Sequence, residues 1–119
     1  MRLSIEQIAE IAYEANRLYC FHIEDCKPPC WNDINDEKRM SYMAGVQSIM
    51  SDPGQRPEQT HQLWMASLYK DGWKYGKVRN VKKKEHPCFM SFEDLPEEQQ
   101  VKDYLFNGIV NSLLMASYL

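Results

Sequence analysis

Proline and glycine punctuate this chain at intervals that leave room for helices of moderate length and little else. Pro28-Pro29, Pro53-Gly54, Pro57, Gly72 and Pro96 divide its 119 residues. Proline cannot continue a helix, and glycine readily takes the left-handed conformation that closes one. Between these breaks, apolar residues recur at helical spacing. Ser4-Ile5-Glu6-Gln7 has the pattern of a capping box, with Leu3 and Ile8 spaced as a hydrophobic staple, so a first helix is predicted from there to about Phe21. Ile5, Ile8, Ala9, Ala12, Ala15 and Tyr19 form its apolar stripe. The following FHIEDCKPPCWND stretch is predicted to be a loop anchored by Trp31.

Asn35 can cap a second helix, with Asp36 and Glu37 favourably placed against the helix dipole. Its inward face is predicted to be Met40, Met43, Ala44, Gln47 and Met50. Pro57 suits the first position of a third helix, although Arg56 is a poor capping residue. Thr60, Leu63, Trp64, Ser67 and Leu68 would face inward there, and Gly72 would close the helix. The last helix is predicted to open at Pro96, with a stripe of Val101, Tyr104, Leu105, Ile109, Ser112, Leu113 and Ala116; Gly108 on it would let another backbone come close. Trp73 to Phe92, about twenty residues, lacks helical period, which is long for a connection in a small domain. The fold class predicted is therefore all-α: a small bundle of about four helices, with one long irregular basic and aromatic segment before the last. Length favours a single domain over residues 1–119.

That irregular segment carries the chain's most unusual chemistry. Between Lys70 and His86 stand seven basic residues (Lys70, Lys74, Lys77, Arg79, Lys82, Lys83, Lys84) against Asp71 and Glu85. The rest of the chain holds seven bases and fifteen acids, and the whole carries a net charge of −3. Tyr69, Trp73, Tyr75, His86 and Phe89 are interleaved with the cations. A flat, anionic ligand would suit such a segment, because a purine can stack on aromatic rings while its phosphates meet lysine and arginine. Trp73 is the candidate platform and Tyr75 a second ring with a hydroxyl. Arg79 offers a bidentate fork. Lys82 and Lys84 would face one side if the segment is extended, and His86 could donate to a phosphate or ribose oxygen. Nucleic acid is disfavoured by the negative net charge and by confinement of the bases to one loop.

Other chemistry finds less support in the residues. Cys20, His22, Cys26 and Cys30 crowd together, but their spacing fits no usual zinc template, so no metal site and no cofactor are expected. The four cysteines, Cys20, Cys26, Cys30 and Cys88, are taken as reduced thiols of a cytoplasmic protein, since no basic leader with an apolar run and cleavage site opens the sequence. No stretch is apolar enough to predict a membrane span. Cys88 near His86 falls short of a nucleophile with its base. Glu97 and Glu98 are explained by a helix first turn. No catalytic residues are assigned, and a non-enzymatic role is expected.

The spacing His61-x-x-Trp64, then Gly72-Trp73-x-Tyr75-Gly76-x-Val78-Arg79, a lysine run into His86-Pro87-Cys88 and a Leu95-Pro96-Glu97-Glu98-Gln99 turn resembles the RyR domain. This is the repeat found in tandem in ryanodine receptors and alone in small bacterial and phage proteins. The resemblance is densest over Thr60 to Lys102 and looser toward both ends. It implies a small helical fold, binding of adenine nucleotides with Trp73 stacking on the base, and a setting in nucleotide signalling and anti-phage defence. Tandem repeats pair around their ligand, so the resemblance further implies a homodimer for a single-repeat chain. The function expected is binding of an adenine nucleotide, ADP-ribose derivative or cyclic nucleotide messenger, as a sensor or sequestering protein. The alternative is an interaction module that docks its basic aromatic loop on an acidic protein partner.

Overall fold

The structure is a computed structural model and describes residues 2–117. Its helices are α1 (Ile5–His22), α2 (Asp36–Ser51), α3 (Pro57–Lys70) and α4 (Glu97–Ser117). Two short 3-10 turns, Trp31–Asp33 and Phe92–Asp94, and the two-residue strands β1 (Lys74–Tyr75) and β2 (Glu85–His86) complete the regular structure. The fold is all-α, with the irregular segment before the last helix. No helix among the described residues is long and apolar enough to cross a membrane.

The helices start where local chemistry allows. Ser4 Oγ accepts from the Gln7 amide at 3.0 Å, and Gln7 Oε1 accepts from the Ser4 amide at 2.8 Å, closing the capping box. Asn35 Oδ1 accepts from the Lys38 amide at 2.8 Å. Side-chain caps of this kind contribute about 1 kcal/mol each. Arg56 supplies none; instead Gln59 Oε1 reaches back to the Arg56 amide at 2.8 Å. The Pro96 carbonyl accepts from Gln99 and Gln100 at the start of α4.

The chain divides into two compact units, one holding the residues through Gln55 together with α4 from Tyr104 onward, the other Arg56–Asp103. The core of the first is Ile8, Ala9, Ala12 and Tyr13 of α1, Trp31 and Ile34 of the loop that follows, Val46 and Ile49 of α2, and Phe106 and Val110 of α4. Full burial of each large apolar side chain contributes about 1.5–3 kcal/mol. Trp31 anchors its loop as predicted. Its ring lies 5.7 Å from Tyr13, its amide donates to Glu14 Oε2 at 2.9 Å, and its carbonyl accepts from Arg39 Nη1 at 3.0 Å. Tyr13 Oη and Arg17 Nε donate to the Pro29 and Pro28 carbonyls at 2.6 and 2.9 Å. The diproline therefore follows α1 as a fixed strap.

The inward face predicted for α2 holds only at Met43, which is half-buried against the core. Met40 is 66% exposed, Ala44, Gln47 and Met50 are exposed, and Val46 and Ile49 are the fully buried residues. The methionine pattern fits a helical period as well as the true face does. What selects the face is Gly45, where an added Cβ would lie 3.1 Å from the Phe106 ring. The close approach expected at Gly108 occurs here instead, since a Cβ at Gly108 would meet nothing within 4 Å. On α4, Phe106 and Val110 are buried, whereas Tyr104, Ser112 and Ala116 of the predicted stripe are exposed. On α3 the buried residue is His61, with Thr60, Trp64 and Leu68 half-buried and the predicted inward residues Leu63 and Ser67 exposed.

Candidate functional site

The second unit builds the basic segment onto the end of α3. Gly72 has φ +88°, its amide donates to the Tyr69 carbonyl, and the Trp73 amide donates to the Leu68 carbonyl at 3.1 Å. Those two bonds are the Schellman closure, which needs a left-handed residue where Gly72 stands. Trp73 is thereby held at the helix terminus. The chain leaves as β1, which pairs in parallel with β2 through Lys74↔Glu85 and Tyr75↔His86. The Lys74 amide donates to the Lys84 carbonyl at 2.9 Å and the Gly76 amide to the His86 carbonyl at 3.3 Å. Gly76 is required by close approach: a Cβ there would sit 2.4 Å from the Glu85 Cβ.

Between the strands the chain reverses. Asn80 and Glu85 exchange backbone hydrogen bonds at 2.9 and 3.0 Å, and Asn80 Oδ1 accepts from the Lys83 amide. Val81 to Lys84 form the turn, with Lys84 in the left-handed region at φ +55°. The extended geometry that would have aligned Lys82 with Lys84 is therefore absent. Lys84 Nζ donates to the Asp71 carbonyl at 2.6 Å, which puts a cation on the negative end of the α3 dipole. Its part in holding the segment is structural.

Behind the strands lies a chain of aromatic rings. His86 stands 6.4 Å from Trp73 and 5.1 Å, edge to face, from Trp64. Trp64 also lies 6.4 Å from Phe89 and stacks on His61 at 5.4 Å with 26° between planes. Phe92 meets His61 edge-on at 6.0 Å. The histidines are oriented by the backbone: His86 Nδ1 accepts from the Cys88 amide at 3.0 Å, and His61 Nε2 donates to the Met90 carbonyl at 2.7 Å. That bond leaves His61 Nδ1 facing Asp103 Oδ2 at 3.7 Å. Burial raises the Asp103 carboxyl from 3.8 to about 7, with Lys102 opposing the rise. Gln100 Nε2 donates to the Phe92 and Leu95 carbonyls, which fixes the 3-10 turn against the start of α4.

Of the six residues singled out in the sequence, Trp73, Tyr75 and His86 are brought together by the strand pair. Trp73 is half-buried and Tyr75 is 52% exposed. Arg79 and Lys82 are exposed on the excursion between the strands, and Lys84 is turned onto the helix end. Lys70, Lys77, Arg79, Lys82 and Lys83 make no ion pair among the described residues, while Lys74 lies 4.0 Å from Glu85. His61 and Asp103 were missed as site residues. The His61-x-x-Trp64 spacing was visible, but nothing local ties it to a carboxylate on α4.

Residues 53–118, more than half of the chain, match the RyR domain model. The chain belongs to the RyR domain family. The match takes in α3, the strand pair and α4, and so contains every ring and cation of the site. α1 and α2 precede the matched residues. Within this RyR domain, the Gly72-Trp73-x-Tyr75-Gly76 motif has a physical explanation. The first glycine supplies a positive φ, the second permits strand contact, and the two aromatics between them are set on one short strand and its approach.

Proposed function

We propose that this RyR domain binds a nucleotide-derived small molecule without turning it over. One observation carries the reading: half-buried Trp73, at the entry to the strand pair, and Tyr75, 52% exposed, lie in one segment with exposed cations that make no ion pair among the described residues. The base stacks on Trp73, flanked by Tyr75 and His86, and Arg79 with Lys82 takes the phosphates. Stacking contributes about 1–3 kcal/mol per base. Lys84 orders the segment from its place on the Asp71 carbonyl rather than meeting phosphate.

On the family's stand-alone bacterial and phage members, the proposed setting is the cytoplasm, where the protein senses or sequesters a messenger in phage–host nucleotide signalling. A homodimer would supply the pairing that tandem repeats achieve within one chain. A thermal-shift panel of adenine nucleotides, ADP-ribose, cyclic ADP-ribose isomers and cyclic dinucleotides tests the reading. A ligand at a hundred times its Kd adds about 2.7 kcal/mol of stability. Trp73→Ala should fold and lose about five- to hundred-fold in affinity. A panel that leaves the midpoint unmoved refutes it, and a chemically altered ligand recovered after incubation refutes capture. A second reading has its own observation: Val78 and Val81, 75% and 60% exposed, lie on the same segment and suit docking on an acidic protein. Binding of an acidic peptide, with no response to nucleotides, would select it.

A further inference from the structure

The other unit holds a second cluster, at the opposite end of the chemistry scale from the basic segment. Cys20, Asp25 and Cys26 each present a ligand atom, and these atoms lie within 4.8 Å of one another. The way α1 ends explains the meeting. The Asp25 amide donates to the Cys20 carbonyl at 3.1 Å and the Glu24 amide to the Phe21 carbonyl at 3.2 Å, while Glu24 takes φ +56°. This is again a Schellman closure, with glutamate rather than glycine at the left-handed position. The motif folds the residue after the left-handed one back over the third residue from the helix end, where an apolar contact is usual. Here that contact is made by Asp25 and Cys20, and Cys26 follows directly.

We infer that Cys20, Cys26 and Asp25 form a site for a thiophilic divalent cation, with zinc the best match. Two thiolates and a carboxylate are a donor set that zinc accepts and that magnesium or calcium does not prefer. Sulfur ligands of a tetrahedral zinc stand about 3.8 Å apart, given bonds of about 2.3 Å. The ligand atoms, within 4.8 Å of one another, would close to that spacing on binding, with Cys20 buried and Asp25 and Cys26 exposed. A recess lined by Phe21, Glu24, Asp25, Cys26 and Lys27 opens on the same turn and gives the ion a route from solvent. Water completes the coordination from that side. The carbonyl end of α1 and the Glu24 carboxylate add negative potential, against Lys27 and the Arg17 guanidinium, which lies 5.1 Å from the centre of the Phe21 ring lining the recess. Cys30 stands apart, its Sγ donating to Asp33 Oδ2 at 3.2 Å. The spacing of the cysteines hid this set because its third ligand is an aspartate and its geometry comes from a helix end. The bound ion would tie the last turn of α1 to the strap that follows, in residues outside the RyR match.

The test is a cobalt titration of the reduced full chain under anaerobic conditions. One equivalent of Co²⁺ should produce sulfur-to-cobalt charge-transfer absorption and the intense visible bands of a tetrahedral ion, and Zn²⁺ should displace both. Cys26→Ser, at an exposed position, should remove the charge-transfer band that depends on two thiolates, or reduce it by at least half. Asp25→Asn should retain the band at saturation and weaken binding by tenfold or more. Cys30→Ser and Cys88→Ser should leave both unchanged. Zn²⁺ should raise the thermal midpoint of the wild-type chain and leave that of Cys26→Ser unmoved. A wild-type spectrum with no charge-transfer band overturns the assignment. So does a band that survives Cys26→Ser at full strength or disappears with Cys88→Ser.

Discussion

Asp103 should make the stability of this protein fall as pH rises, and Asp103→Asn should remove that fall. Its carboxyl sits at about 7 in the folded chain, against 3.8 for the ordinary group, because burial penalises the charged form. The folded state therefore holds a proton that the unfolded chain releases near pH 4. The associated stability is fully present below about 3.8 and is lost as pH climbs through 7. The distance between the two values corresponds to about 4 kcal/mol in all, of which about 3 falls between pH 5 and pH 8. This is an upper bound, since about a fifth of the side chain (21%) faces water and His61 Nδ1 lies at 3.7 Å, able to share the proton. The assay is urea unfolding of wild type and Asp103→Asn at both pH values. The difference between the two proteins isolates Asp103 from every other titrating group. The Asp103→Asn protein should gain on wild type by about 1–3 kcal/mol between pH 5 and pH 8, since a tenfold change in the proton equilibrium is worth ~1.4 kcal/mol. An unchanged difference, or a gain by wild type at high pH, would show that the carboxylate is ionised and paired with His61 and would refute the role given to burial.

Gly76→Ala should destabilise by about 1–3 kcal/mol, because its Cβ would fall 2.4 Å from the Glu85 Cβ and push the strands apart; the midpoint of denaturant unfolding reads this. Gly72→Ala forces a side chain into φ +88° and should cost about 1–2 kcal/mol in the same assay. Lys84→Ala should lower the thermal midpoint by loss of the bond to the Asp71 carbonyl. Arg79→Ala should leave the midpoint in place and weaken nucleotide binding, measured by calorimetry, with a salt dependence shallower than that of wild type.

What was legible in the sequence was local. The Ser4–Gln7 box, the Asn35 cap and the Gly72 closure depend on residues three to five apart, and the hydrogen bonds found are those their chemistry requires. The inward face of α2 was legible only at Met43. Methionine and valine give similar periodicity, and the choice between them is made by Phe106, which approaches Gly45 from the far end of the chain. The placement of Lys84 was not legible either, for a related reason. Its left-handed backbone and its reach to Asp71 follow from the Asn80–Glu85 reversal, a pairing that no spacing rule announces. Trp73 and Tyr75 were found as candidates because aromatic residues amid cations are conspicuous. His61 was not, because its partner is a single carboxylate on another helix.

The two indoles of the RyR unit divide labour in a way that bears on ligand binding and on the titration of Asp103 alike. Trp64 already has His61 stacked on it and His86 and Phe89 against it, whereas Trp73 meets His86 as its ring contact among the described residues. Under the proposed function the purine stacks on Trp73, which has one ring contact among the described residues, rather than on Trp64, which has three. The same contacts run on from Trp73 through His86, Trp64 and His61 to Asp103. A ligand that fixes the His86 ring acts on one end of a packed array whose other end gains or loses a proton near neutral pH. Linkage is reciprocal, so whatever factor protonation of Asp103 imposes on ligand affinity, occupancy of Trp73 imposes on the titration of Asp103. Affinity measured across pH 6–8 in wild type and in Asp103→Asn gives that factor directly; equal profiles in the two proteins would mean that the rings pack the site without coupling it.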